Sequence, residues 1–325
     1  MKHRLQTSLF VCILAALLFA VPGYPQEAEV GRFPNRPITF IVPLPAGSGG
    51  DVASRLLLKE AEKFLGQPVV VVNKPGGAYT IGVAAIAASK PDGYTIGYTT
   101  TGSMFLLPFL EKLPYHPLKD LQPIMQFCEM TFGVVVRNDS PFKHFKEIVA
   151  YARQNPKKVT YGTGGTHSLP NITIERIARM EGVQFTHIPF RGGAEFQQAL
   201  LGGHIQFSAG DFQVPLLEAE QTRLLFLLAE DRRVEYPGIP TLKEIGYDIP
   251  YPALAPLMGP KGIPEGIVKK LDEALAKAMN EPAFRKGMKE LRLTVTYRNS
   301  KELETYVAHT YETFERMMKE LKLTK

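Results

Sequence analysis

The apolar positions of the chain switch between two periods. Ile38, Phe40, Ile41 and Val42 form a short β-branched run that stops at Pro43, which predicts a buried strand. Val52, Leu56, Leu57, Ala61 and Phe64 then recur at helical spacing, which predicts a helix beginning near Asp51. "PVVVVNKPGG" predicts a second buried strand, followed by an alanine-rich helix over about 80–88. "PDGYTIGYTTTG" predicts a turn, a strand and an exposed threonine loop. Further strands are predicted at 133–137, 158–161, 185–188, 205–208, 223–228 and 293–297, and helices at 142–153, 171–181, 194–201, 264–279 and 301–321. Strands alternating with helices of this length predict an α/β fold of βαβ units around parallel sheets. Proline clusters over 108–123 and 237–260 mark the expected crossings between two lobes.

Between the first strand and the first helix lies "PLPAGSGGD", residues 43–51. Gly47, Ser48, Gly49 and Gly50 leave main-chain N–H groups with few side chains in front of them. A glycine-rich turn at a helix N-terminus offers unpaired donors and the positive end of the helix dipole, which suits an anion. The design recurs in "KVTYGTGGTHSLPNITIERIARM", with Pro170 suited to a first helical turn, and in "FTHIPFRGGAEFQQALLGG", where Arg191 precedes Gly192 and Gly193. Loops at the C-terminal ends of strands are where open α/β sheets place ligands.

The N-terminus changes the compartment. Lys2 and Arg4 precede an apolar run over 9–21, shorter than a membrane span, with Val21 and Gly23 near a cleavage point. Residues 1–23 read as a signal peptide, and the mature chain as exported to the periplasm. Cys12 falls in that leader, so Cys128 stands alone and no internal disulfide is expected. Removing Lys2 and Arg4 leaves 36 basic against 32 acidic residues, spread without a basic block, which argues against nucleic acid.

Catalytic readings are weaker. Ala46-Gly47-Ser48-Gly49-Gly50 is similar to a variant of the nucleophile elbow, and Asp211 and His309 follow in hydrolase order. A secreted α/β serine hydrolase using Ser48 is therefore the alternative, but no HGGG-like oxyanion loop precedes it. Neither glycine loop completes GxGxxG and no GK[ST] follows, so no nucleotide or other cofactor is expected. The seven histidines form no HxxxH pair and Cys128 has no close partner, so no metal site is expected either.

The ordered segments "RPITFIVPLPAGSGGDVASRLL", "QPVVVVNKPGGAYTIGVAAIAASKPDGYTIGYTT", "LPYHPLKDLQPI", "VTYGTGGTHSLPNITIERI" and "FTHIPFRGGAEFQQALLGGHIQFSAGD" span nearly the whole mature chain. Together they resemble the substrate-binding component of tripartite tricarboxylate transporters, the Bug-type extracytoplasmic receptors. The resemblance implies a two-lobed periplasmic-binding-protein (Venus-flytrap, type II) fold with two interlobe crossings. Lobe one would hold 31–132 and 252–325, and lobe two 133–251. It also implies a monomeric, non-enzymatic receptor that clamps a small organic carboxylate and passes it to integral-membrane transporter subunits or to a sensor. Carried over by position, the ligand would meet Ala46, Gly47, Ser48, Gly49, Gly50 and Asp51 in lobe one, and Thr163, Gly164, Gly165, Thr166, His167 and Ser168 in lobe two. Thr100, Thr101, Gly102 and Ser103 would border the cleft with Arg191, Gly192 and Gly193, and Asp211 matches the family's aspartate. The chain departs from the family pattern in three places. The family has a second small residue near Tyr79, a glycine near His167 and a histidine near Asn171.

Overall fold

The computed structural model describes residues 30–252 and 254–320. The expected signal peptide and Leu321, the last residue of the final predicted helix, lie outside them. Over 34–325 the strands assemble into two sheets, one for each lobe.

The first sheet holds β1 (Ile38–Val42), β2 (Val69–Asn73), β3 (Thr95–Tyr98), β4 (Leu121–Glu129), β10 (Leu254–Pro260) and β11 (Thr294–Arg298), in the order β11-β4-β10-β3-β1-β2. The second holds β5 (Gly133–Arg137), β6 (Thr160–Thr163), β7 (Thr186–Pro189), β8 (Phe207–Gly210) and β9 (Thr222–Leu227), in the order β7-β6-β8-β5-β9. The chain passes from one sheet to the other at 130–132 and returns at 228–253. The proline cluster over 108–123 is therefore not a crossing: β4 begins inside it and runs on in the first sheet. The sheets are mixed rather than parallel. β1 is parallel to β2 and β3, and β6 to β7 and β8, as βαβ units require. β10 is antiparallel to β3 and β4, β11 to β4, and β5 to β8 and β9.

The first helix, Gly49–Leu65, starts two residues before the predicted point and ends on Gly66, whose left-handed backbone suits glycine. It buries Ala53, Leu57, Leu58, Ala61 and Leu65, a stripe rotated about one residue from the predicted one. Phe64 is 40% exposed, whereas Val52 and Leu56 are half-buried. The second strand is also not buried: β2 is the sheet edge and Val70 is 51% exposed. The threonine loop is not exposed: Thr99, Thr101 and Ser103 are buried. Thr100 caps the short helix Thr101–Phe105, accepting the Ser103 N–H while the Ser103 hydroxyl accepts the Thr100 N–H. Among the described residues no helix is long and apolar enough to cross a membrane.

Candidate functional site

The parallel strands β1, β2 and β3 end at Val42, Asn73 and Tyr98, and β6, β7 and β8 end at Thr163, Pro189 and Gly210. The turns after these ends meet between the sheets and enclose two cavities. The inner one, about 70 Å³, is bounded by Thr100, Thr101 and Gly102 on one side and by Gly164, His167 and Ser168 on the other. The outer groove, about 720 Å³, is bounded by Ala46, Gly47, Ser48 and Gly49 opposite Arg191, Gly192 and Gly193. Met130 and Asp211 belong to both. The candidate residues thus fall into two groups rather than one cleft. Sequence order reveals strand-end turns but not which turns share a cavity.

Six candidates line neither space. Gly50 packs against Leu44 and Tyr98, leaving no room for a side chain. Ser103 is spent on the Thr100 cap. Thr163 lies fully buried behind its loop, its hydroxyl donating to the Gly165 carbonyl at 3.0 Å and lying 2.8 Å from His187 Nε2. Burial and the charge of His167 pull the His187 imidazole down to about 4, so it is neutral at physiological pH. Gly165 and Thr166 complete that turn outside both cavities.

Asp51 is the sixth, and it builds the loop that was expected to hold a ligand. Its carboxylate is 1% exposed and accepts the Gly47 N–H at 2.9 Å, Arg55 Nε at 3.0 Å and Asn73 Nδ2 at 2.8 Å. Asn73 also donates to the Leu44 carbonyl at 3.0 Å, tying the turn to the end of β2. Burial works to raise the Asp51 pKa, but the hydrogen bonds from Arg55, Gly47 and Asn73 outweigh it and hold it below its ordinary value. The Gly47 donor is therefore occupied. What remains open at this end is the start of the helix, where the N–H groups of Gly49 and Gly50 have no intrahelical acceptor.

In the second loop the His167 N–H donates to Asn171 Oδ1 at 2.9 Å and the Ser168 N–H to the Gly165 carbonyl at 3.3 Å. The Ser168 hydroxyl caps the helix Leu169–Glu181, leaving the Leu169 N–H open at its first turn. Asn171, where the family carries a histidine, also donates to the Tyr161 hydroxyl at 2.8 Å. His167 and Tyr79, where the family carries small residues, both hold left-handed backbone at φ 61 and 77, as glycine would without strain. The His167 side chain is 43% exposed at the cavity edge, with Nδ1 3.5 Å from Glu111 Oε1.

Among the inner-cavity residues that the sequence did not mark as site candidates are Tyr79, Tyr98, Met130, Phe132 and Tyr251. Tyr79 had a signal as a departure from the family pattern, and Tyr98 as the last strand residue before the threonine turn. The Tyr251 hydroxyl is buried without a hydrogen-bond partner among the described residues. Asp211 faces the same space, and burial pushes its carboxyl up to about 6. Among the described residues the Ser48 hydroxyl has no hydrogen-bond partner, so none of them stands where the hydrolase alternative needs a base. The His-x-x-Glu spacings beginning at His144 and His309 gather no third metal ligand among the described residues. At the first of them Glu147 caps a helix, accepting the Lys143 and His144 N–H groups.

A family model described as "Tripartite tricarboxylate transporter family receptor" matches residues 53–323. The chain belongs to that receptor family. Among the receptor's relatives is the "UPF0065 protein in gbd 5'region" of Cupriavidus necator, 37% identical over 100% of this chain and 98% of that one. The periplasmic binding protein BugD has a similar structure, with a TM-score of 0.82 at 27% identity over 90% of this chain and all of that one. MatC of Rhodopseudomonas palustris, solved with bound malate, superimposes with a TM-score of 0.78 at 27% identity over 87% of this chain and 99% of that one. The two-lobed receptor fold expected from the sequence is thereby shown.

Proposed function

We propose that this receptor is exported to the periplasm after loss of residues 1–23 and clamps a small organic carboxylate in the inner cavity. Lobe one in this reading is 31–132 with 252–325, and lobe two is 133–251. The observation that carries it is a single cavity walled by strand-end turns of both sheets, with Leu169, the first residue of a helix, on its wall. Main-chain N–H groups at a helix start recognise a carboxylate by charge and hydrogen bonding together. The liganded receptor would then dock on integral-membrane subunits of a tripartite transporter, or on a sensor. MatC's bound malate supports a small carboxylate as the kind of cargo.

A panel of small carboxylates is expected to include at least one that raises the thermal midpoint. Ligand at a hundredfold excess over Kd should add about 2.7 kcal/mol to stability. The Ser48→Ala variant should behave the same and wild type should hydrolyse no ester. Ester turnover that disappears in Ser48→Ala would overturn the receptor reading.

A further inference from the structure

We propose that Asn171 is a positioning residue of the inner cavity, acting through His167 and held in its turn by Tyr161 and Glu175. The inference rests on the receptor reading above and names what fixes one wall of its site. Asn171 is 4% exposed and lines neither cavity, whereas His167 is on the wall of the inner one.

Three hydrogen bonds run in one direction behind that wall. The His167 N–H donates to Asn171 Oδ1 at 2.9 Å, Asn171 Nδ2 donates to the Tyr161 hydroxyl at 2.8 Å, and that hydroxyl donates to Glu175 Oε1 at 2.6 Å. Asn171 and Tyr161 each accept from one neighbour and donate to the next. This orients the Asn171 amide, with its oxygen toward His167 and its nitrogen toward Tyr161. Burial, then the hydrogen bond and charge of Glu175, push the Tyr161 hydroxyl above its ordinary pKa, so it keeps the proton it donates. The ring is fixed as well, stacked on Phe207 with centroids 5.1 Å apart and tilted against His187 at 4.9 Å. Tyr161 is fully buried in β6, so the chain of bonds is anchored on the sheet.

His167 needs such a hold. Its backbone lies at φ 61, a region that costs energy for a residue with a Cβ and persists where the surroundings impose it. Without the bond to Asn171 this main chain is free to leave that region, and the imidazole leaves the cavity edge with it. The remainder of the turn is fixed separately. The Ser168 hydroxyl donates to the Thr163 hydroxyl at 3.3 Å, and Thr163 donates to the Gly165 carbonyl at 3.0 Å. The Asn171 main-chain N–H donates to Ser168 Oγ whatever side chain follows it. Loss of the Asn171 amide should therefore reshape the wall at His167 without unfolding the helix start.

The test compares wild type with Asn171→Leu, Asn171→Asp and Tyr161→Phe, each freed of ligand by unfolding and refolding. Amide exchange at His167, the thermal midpoint and calorimetric affinity are measured, the last for whichever of malate, succinate, benzoate and hexanoate binds wild type most tightly. Asn171→Leu is similar in size but lacks the acceptor. Its His167 N–H should exchange about tenfold faster and its affinity should fall about tenfold. Asn171→Asp keeps an oxygen for the His167 N–H and should hold both quantities within about threefold of wild type. Tyr161→Phe touches neither cavity, yet it frees the Asn171 amide to turn, so it should speed exchange and weaken binding by about threefold. That variant carries the test if Asn171→Leu does not fold. Faster exchange with unchanged affinity would overturn the positioning role and leave the receptor reading standing. Unchanged exchange in folded Asn171→Leu, or equal losses in Asn171→Leu and Asn171→Asp, would do the same. A panel in which nothing binds wild type would overturn the receptor reading and this inference with it.

Discussion

Gly164→Ala is expected to weaken ligand binding by about tenfold, ~1.4 kcal/mol, while the unliganded protein melts nearly as before. A Cβ on Gly164 would stand 2.6 Å from the Tyr79 hydroxyl and 3.8 Å from Tyr79 Cζ. The clash is thus with the oxygen alone, at the point where the turns of the two sheets come together over the inner cavity. Gly164 is not among the residues with positive φ, so alanine brings no backbone strain of its own. Tyr79→Phe removes the offending atom, and the Gly164→Ala/Tyr79→Phe double variant should recover most of the lost affinity. Calorimetric titration of the two single variants and the double variant measures that coupling. Equal affinities for wild type and Gly164→Ala would show that the two turns need not meet for binding.

Asp51→Asn is expected to cost about 2–3 kcal/mol of stability, read as a lower urea midpoint with unchanged slope. All three partners of Asp51 are donors, so an amide nitrogen in place of one oxygen leaves a donor facing a donor. The pH dependence has a defined sign. The folded protein holds the Asp51 pKa below its unfolded value, so this stabilisation is fully present above the ordinary aspartate range, about pH 4. It is lost as pH falls through the lower folded value. The difference between wild type and variant should therefore be constant from pH 5 to 8 and close below about pH 4. A difference that stays flat into the acid range would mean that the carboxylate charge contributes nothing to holding the loop.

Much of the fold could be read from periodicity. The strands predicted at 133–137 and 293–297 lie within one residue of β5 and β11, and the alanine-rich helix over 80–88 is within one residue of Thr80–Ala87. The strands that escaped, β4 and β10, carry Pro123, Pro256 and Pro260. Proline lacks the ladder donor and argues against an interior strand. These two tolerate it because their pairing is irregular, with register shifts between Leu254 and Pro256 and between Leu257 and Met258. Cavity-lining residues on strand-end turns were legible because glycine and serine punctuate those turns. Tyr251 and Phe132 were not, because each lies in a crossing whose sequence follows neither helical nor strand period. Asp51 shows a different limit. Its position at a helix start was correct, but only the structure reveals that three donors already claim it.

The first crossing is short, 130–132, and most of the segment 228–253 stays with the second sheet: the Leu242 N–H donates to the Leu227 carbonyl and the Tyr247 hydroxyl to Glu181, while the Pro252 carbonyl already accepts the Thr101 hydroxyl on the first-sheet side. Rotation of one sheet against the other would therefore be absorbed by torsions at 130–132 and near 251–252. That sets the pivot next to Met130, a wall of both cavities. Residues beside a pivot move little, and those at the far end of the lever sweep widest. Opening would then widen the mouth around His167 and Glu111 more than the floor around Met130 and Phe132. Mutations at the short link would change the rate and amplitude of that swing, and at Met130 or Phe132 they would also alter the wall of the inner cavity.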